Sequence, residues 1–221
     1  MIQMFNVHKV YPNNHTALID CDLHIEKGGF AFLTGPSGAG KTTLIKLIFC
    51  AERATRGQII VNGINFVKIK ESRIPRLRRK MGVVFQDFKL LNRRTVYENV
   101  VFALEVTGAR RKEIKRKAWQ ALKLVGLQNR LDATPLGLSG GEQQRIAIAR
   151  AIVNSPTILL ADEPTGNLDS DITRDIMELF KSINDRGTTV VIATHNKALA
   201  RQYSSTHIML DRGRKVNPEE G

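Results

Sequence analysis

Short apolar runs rich in β-branched residues alternate along the chain with longer stretches of helical periodicity. Such alternation is typical of an α/β protein with a largely parallel sheet. The pattern predicts strands at residues 29–34, 57–62, 81–86, 157–163 and 188–195. Residues 2–7 and 59–61 are also strand-like, and we assign them to an antiparallel edge sheet.

Helical periodicity marks five stretches, at residues 41–49, 96–105, 111–125, 141–153 and 172–184. The middle of the chain, residues 88–153, is mainly helical and interrupts the series of strands. We therefore predict a single domain in which an α/β core, residues 1–87 and 154–221, carries an inserted helical subdomain. Residues 217–221 are expected to be loose.

The composition is that of an ordinary soluble domain. The 221 residues are 42% hydrophobic and 25% charged, which provides enough apolar material for a real core. No apolar run approaches the roughly 18 residues that span a bilayer, and the first residues show no secretory pattern. Cys21 and Cys50 are the two cysteines, which fits a reducing compartment. We therefore expect a cytoplasmic protein.

An excess of positive charge, +13 in total, changes the range of expected partners. The basic residues gather in two segments: Arg76, Arg78, Arg79 and Lys80, then Arg110, Arg111, Lys112, Lys115, Arg116 and Lys117. Such a surface favours anionic partners, either nucleic acid or the acidic cytoplasmic leaflet of a membrane. A solvated basic surface without a partner is the alternative.

Residues 35–42 read GPSGAGKT, a full match to the phosphate-loop pattern G-x-x-x-x-G-K-[ST]. A predicted strand precedes the segment and a predicted helix follows it. The glycines let backbone N–H groups close around phosphate oxygens, where side chains would obstruct them. Lys41 is expected to contact the β- and γ-phosphates, and the Thr42 hydroxyl to bind Mg²⁺. The alternative is a glycine-rich turn that binds nothing, but a chance match has a probability on the order of 1%.

Asp162 and Glu163 end an apolar strand far downstream of the phosphate loop. The carboxyl edge of a parallel sheet is where bound phosphates would lie. Because side chains alternate along a strand, the two acids are expected to have different roles. Asp162 suits Mg²⁺, and Glu163 suits the orientation and deprotonation of an attacking water. Alone, the pair could equally cap the next helix.

Residues 138–145, LSGGEQQR, lead into a predicted helix. Ser139 suits the N-cap position, and the paired glycines expose backbone donors where the helix begins. Alone, the segment predicts only a capped helix. Together with the phosphate loop and the acidic strand, it resembles the signature of the ABC ATPase family.

The ABC resemblance extends over nearly the whole chain and implies roles for further residues. Tyr11 lies where the family's aromatic loop stacks on adenine, and Gln86 matches a glutamine that senses the metal and the membrane partner. Residues 166–169 resemble the family's D-loop, and His195 matches the histidine that contacts the γ-phosphate. The implied fold is a P-loop NTPase with a RecA-like core, an antiparallel β edge subdomain and an inserted helical subdomain.

Motifs and resemblance together imply a complete site for ATP and Mg²⁺. The expected catalytic residues are Glu163, His195 and Lys41, and the expected metal ligands are Thr42, Gln86 and Asp162. The expected nucleotide contacts are Tyr11, Gly35, Pro36, Ser37, Gly38, Ala39, Gly40, Lys41, Thr42, Thr43, Gln86, Ser139, Gly140, Gly141, Glu142 and Asp169. In this family two copies pair head to tail around ATP, and since the chain holds one set of motifs, a homodimer is the simpler assembly.

Within the family, residues 74–91, 94–100 and 161–169 resemble the bacterial cell-division ATPases of the FtsE type. The resemblance implies a membrane subunit of the FtsX type, a peripheral position on the cytoplasmic face of the inner membrane, and activation of cell-wall hydrolases. The segment after Gln86 is the expected dock, with Leu90, Leu91 and Tyr97 as apolar contacts, although core packing explains those three residues equally well.

Two other functional classes are alternatives. ATPases of lipoprotein-releasing and macrolide-export transporters share the pattern of residues 161–169. An ABC ATPase acting on nucleic acid would fit the charge, but such proteins carry a second cassette, a long coiled coil or zinc modules, none of which is visible in the sequence. We therefore expect no nucleic-acid partner. A nucleotide-controlled scaffold with negligible turnover is disfavoured because Glu163 and His195 are both present.

Overall fold

Two β-sheets form the framework of the chain in a computed structural model, which describes residues 1–203 and 206–216. The strands in these residues are β1 (Ile2–Val10), β2 (Thr16–Ile25), β3 (Phe30–Thr34), β4 (Arg56–Val61), β5 (Ile64–Asn65), β6 (Met81–Val84), β7 (Ile158–Asp162), β8 (Thr189–Thr194), β9 (Thr206–Asp211) and β10 (Arg214–Val216). The expectation for residues 217–221 lies outside the described residues.

The helices cover one face of the larger sheet and fill the space between the two sheets. They are α1 (Lys41–Ile48), α2 (Ile74–Arg78), α3 (Val96–Val106), α4 (Arg111–Leu124), α5 (Gly140–Ile152), α6 (Ser170–Asp185) and α7 (Lys197–Tyr203). In the part of the chain that the structure describes, no helix is both long enough and apolar enough to cross a bilayer.

The larger sheet has the strand order β10-β9-β3-β8-β7-β6. Strands β9, β3, β8, β7 and β6 pair in parallel, and β10 pairs antiparallel with β9. The smaller sheet, in the order β2-β1-β4-β5, is antiparallel throughout. It includes both segments predicted for an edge sheet, because Ile2 of β1 lies opposite Val61 of β4. That prediction is confirmed.

Alternating side chains of the larger sheet enter two separate hydrophobic cores. Ala31 and Leu33 of β3 pack into the core that also holds α1 and the smaller sheet. Phe30 and Phe32 of the same strand pack into the core formed with α3 to α7. Since both faces of the strands are buried, their sequences are apolar runs rather than alternating patterns.

All five predicted helices are present, with ends that differ from the prediction by a few residues. Two of them begin at capping boxes, in which an N-cap hydroxyl and the Glu three residues later each accept a hydrogen bond from the other's backbone N–H. Thr95 and Glu98 form the box of α3, and Ser139 and Glu142 form that of α5.

One predicted strand was too long, and several elements were not predicted. The strand predicted over residues 81–86 ends at Val84, so Gln86 lies in the turn beyond it. Strands β2, β5, β9 and β10 and helices α2 and α7 were missed. Helices α3, α4 and α5 follow one another between β6 and β7. The division into an α/β core and an inserted helical subdomain at residues 88–153 stays a prediction.

Candidate active site

Residues 35–40 connect β3 to α1 at the carboxyl edge of the larger sheet. The backbone requires glycine at both ends of this loop. Gly35 has φ +144°, and a Cβ there would lie 2.1 Å from the carbonyl oxygen of Leu210. Gly40 has φ +104°, and its Cβ would lie 2.6 Å from the carbonyl oxygen of Ala17. The loop therefore brings backbone, rather than side chains, to the start of α1.

Lys41 is the first residue of α1, and its side chain folds back over the loop. Its Nζ donates hydrogen bonds to the carbonyl oxygens of Gly35, at 2.8 Å, and Pro36, at 3.0 Å. The same nitrogen lies 3.6 Å from Oε1 of Glu163. The lysine is only 7% exposed, so its ammonium group relies on these partners for solvation.

Glu163 follows the last residue of β7 and has left-handed backbone geometry, with φ 47°. Its N–H donates to the carbonyl oxygen of Ala193 on the neighbouring strand, at 2.8 Å. Its carboxylate lies between two basic groups, because Oε2 lies 3.0 Å from His195 Nδ1 while Oε1 faces Lys41. The structure thus brings together the three residues that the sequence predicted as catalytic.

Asp162, the last residue of β7, lies in a different environment from its neighbour. Its Oδ1 is buried and has no hydrogen-bond partner among the described residues. Burial raises the pKa of this carboxyl group, and the nearby Thr42 hydroxyl opposes the effect in part. A buried carboxylate oxygen that accepts no hydrogen bond is well suited to act as a ligand of a cation.

Tyr11 lies next to α1, as the predicted aromatic contact requires. Its hydroxyl is 3.4 Å from the Thr43 hydroxyl. Its ring stacks on His15, with 6.4 Å between centroids, and Lys9 Nζ lies 4.7 Å from the ring centroid. The half-buried ring is therefore fixed beside the phosphate loop.

Ser139 and Gly140 are exposed at the beginning of α5, and the buried Gly141 packs against α6. A Cβ on Gly141 would lie 2.8 Å from Ile172 Cγ2, so glycine allows this close approach. Ser139 Oγ donates to Glu142 Oε2 at 3.0 Å and accepts from Glu142 N–H at 3.3 Å. In the described residues Ser139 has no hydrogen bond to the phosphate loop.

Two further predicted site residues are Gln86, which lies near Gly166, and Asp169. Gln86 is exposed, and its Nε2 would lie 3.9 Å from a Cβ on Gly166. Asp169 caps α6, because its Oδ1 accepts the N–H of Ile172 at 2.9 Å. The predicted D-loop therefore connects Glu163 to the start of α6.

Comparison with known proteins agrees with this geometry. Residues 18–166 match the family described as ABC transporter. The chain belongs to the ABC transporter family. Cell division ATP-binding protein FtsE of Bacillus subtilis (strain 168) is 50% identical to this ABC subunit over 219 residues, covering 99% of this chain and 96% of the relative. FtsE of Escherichia coli (strain K12) is 46% identical over 213 residues, covering 96% of each.

Solved structures of ABC cassettes share the fold of this ABC subunit. The dimeric structure of the bacterial ABC transporter cassette MJ0796 has a TM-score of 0.89 at 37% identity, covering 98% of this chain and 97% of that one. A second dimeric structure of MJ0796, a post-hydrolysis state bound to ADP and Pi, has a TM-score of 0.89 at 36% identity with the same coverage. The predicted fold class is therefore confirmed.

Two residues that the sequence did not single out organise the segment after Gln86 in this ABC subunit. Asn99 is fully buried in α3 and bonds to both backbone groups of Leu91. Arg150 of α5 donates hydrogen bonds to the carbonyl oxygens of Phe88 and Lys89. These two carbonyl-bearing residues have left-handed backbones, with φ 55° and 50°. An unusual loop conformation is therefore held from two helices.

Proposed function

We propose that two copies of this ABC ATPase close head to tail, so that each ATP lies between the phosphate loop of one copy and Ser139 of the other. The observation that carries the proposal is the division of the site within one chain. Lys41, Glu163 and His195 form a continuous set of contacts. Ser139, by contrast, is exposed and bonds to Glu142 of its own helix. The dimeric MJ0796 cassettes support a homodimer.

In the proposed reaction water attacks the γ-phosphorus of ATP, Glu163 accepts a proton from that water, and the bond from the γ-phosphorus to the bridging oxygen breaks, so that ADP and phosphate leave. Before ATP binds, Lys41 and His195 hold the Glu163 carboxylate, and Lys41 also bonds to the loop carbonyl oxygens. Phosphate oxygens replace those carbonyl oxygens as partners of the ammonium group. When the Lys41 ammonium group binds phosphate, Glu163 loses its contact with Lys41, and Oε1 becomes available for the water. Because the Glu163 carboxylate bonds to Nδ1 of His195, Nε2 of that ring is left to contact the γ-phosphate.

The remaining predicted site residues position the nucleotide in this proposal. Tyr11 stacks on adenine, and the loop backbone surrounds the phosphates. The signature residues Ser139, Gly140, Gly141 and Glu142 close the site from the second copy. Gln86 couples the occupancy of the nucleotide site to the membrane partner, and Asp169 couples it to the second copy.

The residues beside the phosphate loop fit Mg²⁺. The buried, unpartnered Oδ1 of Asp162 and the adjacent Thr42 hydroxyl are hard oxygen ligands, and a cation there would offset the cost of burying the carboxylate. We propose that Asp162, Thr42 and Gln86 hold the ion. When bound, Mg²⁺ neutralises charge on the β- and γ-phosphates.

Substitution of Glu163 tests the assignment of the base. Glu163→Gln keeps the size and one hydrogen-bonding oxygen, so it should retain ATP binding, trap a dimer and lose more than about 100-fold in turnover. Glu178→Gln, an exposed change on α6, is the matched control and should hydrolyse ATP at the wild-type rate. Steady-state phosphate release and light scattering with ATP measure both effects. Wild-type turnover in Glu163→Gln would refute the assignment.

We further propose that the complex acts in bacterial cell division, with the ATPase bound at the cytoplasmic face of the inner membrane to a polytopic subunit of the FtsX type. The support is that proteins named FtsE in two distantly related bacteria are 50% and 46% identical to this chain over nearly its full length. The segment after Gln86 is the proposed dock, because Asn99 and Arg150 hold it in one conformation. Leu90 and Tyr97 are partly buried against the helical core and are placed to extend it, and Leu91 is partly buried.

Co-purification tests this assignment. When the chain is co-expressed with the membrane subunit encoded beside it, the two should elute together in detergent, and ATP hydrolysis should rise above that of the isolated chain. A four-span partner with a large external domain agrees with the cell-division assignment. A partner of the lipoprotein-releasing or macrolide-export type would contradict it.

A further inference from the structure

Helix α4 has one face that packs on the protein and one that is exposed. Ala118, Ala121 and Leu122 are buried against the rest of the helical layer. At 100° per residue, five residues fall within a sector of about 100° whose centre lies about 120° around the helix from the buried residues. We call them the α4 cationic face: Lys112, Lys115, Arg116, Trp119 and Lys123. All five are exposed.

The four cations of this face have no ion-pair partner in residues 1–203 and 206–216. The only acid on the helix, Glu113, pairs with Lys117 at 3.4 Å, and Lys117 is not part of the face. Arg116 bonds to the neutral Gln120 at 3.3 Å, and Lys123 lies 5.1 Å from the Trp119 ring centroid. The positive charge of the face is therefore uncompensated by any ion pair in the described part of the chain.

The placement of these charges works against the stability of the helix itself. Arg111 and Lys112 lie in the first turn, where the helix dipole disfavours cations. Arg111 and Lys115, and likewise Lys112 and Arg116, are like-charge pairs four residues apart, which repel one another along a helix surface. Local structure does not explain this arrangement, whereas an external anionic surface does.

Trp119 adds an apolar anchor within the cationic face. It is 44% exposed although it is the largest side chain of the helix and the one tryptophan of the chain. It lies at the edge of an open groove of about 900 Å³ between α4 and the end of α6. Lys117, Lys123 and Arg186 line the groove, and none of the described residues that line it is acidic. Exposed tryptophan beside cations is typical of side chains at the level of lipid headgroups.

We propose that the α4 cationic face binds the surface of an anionic phospholipid bilayer. Charge complementarity selects anionic headgroups, and Trp119 enters the interface. A single-stranded nucleic acid is the less suitable occupant, because such sites stack successive bases on several aromatic residues and α4 has one. The inference rests on the proposed membrane location, but it needs neither the membrane subunit nor ATP hydrolysis for its test.

Fluorescence of the native protein provides the test, since Trp119 is the only tryptophan. Vesicles of phosphatidylcholine with phosphatidylglycerol should shift its emission to the blue, and lipids brominated near the headgroup should quench it. Vesicles of phosphatidylcholine alone should do neither. No blue shift, or equal shifts with both vesicles, would overturn the proposal. Quenching by a short single-stranded oligonucleotide without any response to anionic vesicles would also overturn it and would indicate nucleic acid instead.

A charge-neutralised variant localises the effect. One variant combines four substitutions: Lys112→Gln, Lys115→Gln, Arg116→Gln and Lys123→Gln. Its partition coefficient onto anionic vesicles should fall by at least about 100-fold, because each cation near such a surface contributes about fivefold. The matched control removes the same charge from another exposed surface, through Lys68→Gln, Lys70→Gln, Arg76→Gln and Arg79→Gln, and should bind at near wild-type strength. Equal losses in the two variants would show that net charge acts alone and would overturn the proposal.

ATP hydrolysis by the isolated chain separates this inference from the proposed function. Both charge variants should hydrolyse ATP at the wild-type rate, because none of the substituted residues belongs to the proposed nucleotide site. Loss of vesicle binding with intact hydrolysis supports the cationic face as a separate surface. Vesicle binding that persists in the α4 variant, whatever its hydrolysis rate, contradicts the inference and leaves the ATPase assignment unaffected.

Discussion

Asn99→Ala is the substitution that best tests how the proposed membrane dock is held. Asn99 has no solvent exposure, and its side chain makes four hydrogen bonds to backbone groups of the segment before α3. Oδ1 accepts the N–H of Leu91 at 2.8 Å, and Nδ2 donates to the carbonyl oxygens of Leu91, Arg94 and Thr95. Alanine removes all four bonds and leaves a small void.

The expected cost follows from which backbone groups lose their only partner. The Thr95 carbonyl oxygen also accepts the N–H of Asn99, at 2.9 Å, and so keeps one bond in the variant. The Leu91 carbonyl oxygen likewise keeps the N–H of Arg94, at 2.9 Å. The N–H of Leu91 and the carbonyl oxygen of Arg94 lose the partner that Asn99 supplied. Water reaches part of this region, so we expect the variant to lose about 2–4 kcal/mol of unfolding free energy. In a domain of this size the melting temperature should fall by about 5–15 °C.

Urea unfolding followed by circular dichroism measures the loss, with Asn129→Ala as the control. Asn129 is exposed and makes no hydrogen bond within the described residues, so its substitution should change stability by less than about 0.5 kcal/mol. ATP hydrolysis by folded Asn99→Ala should stay near the wild-type rate, while stimulation by the membrane subunit should fall. An Asn99→Ala variant as stable as Asn129→Ala would refute the reasoning.

Two further predictions concern packing and pH. Gly82→Ala would place a Cβ 2.5 Å from the carbonyl oxygen of Ala151, so it should lower the unfolding free energy measured in urea by about 1–3 kcal/mol. The control is Gly137→Ala, whose Cβ meets open space, and it should lower the unfolding free energy by less than about 0.5 kcal/mol. Burial, and then the charges of Arg201 and Lys197, lower the pKa of His207 from its ordinary value of 6.5. Because its pKa is lower in the folded state, His207 binds a proton more readily in the unfolded chain than in the folded one. The contribution of neutral His207 to the unfolding free energy is therefore complete above pH 6.5 and is lost as the pH falls through the lowered pKa. His207→Gln should therefore lose less stability than wild type between about pH 7 and pH 5 in the same assay, and equal losses would contradict the assignment.

The parts of the fold that the sequence predicted are those with a local physical cause. Strands buried on both faces are apolar throughout, and glycine at position 35 is required by its φ and by the nearby Leu210 carbonyl. Strand β2 was missed because its exposed positions include Asp20 and Asp22, which are poor strand formers. A signal was nevertheless present, since buried Cys21, Leu23 and Ile25 alternate with them.

The parts that could not be predicted depend on contacts between distant segments. Asparagine within a helix carries no signal of burial, and the role of Asn99 arises only when residues 91–95 fold against it. Alternation along a strand gave Asp162 and Glu163 different faces, but the left-handed backbone that places Glu163 beside Lys41 and His195 has no signature in the sequence. The motifs predicted which residues act, and tertiary structure determined their contacts.

Mixing two inactive variants tests the composite site most directly. Lys41→Ala should disable the phosphate loop and Ser139→Arg the signature, so neither variant should hydrolyse ATP alone. In an equal mixture half of the dimers contain one copy of each, and one of their two sites is intact, so the mixture should recover about a quarter of wild-type turnover. A mixture no more active than its separate components would contradict the account.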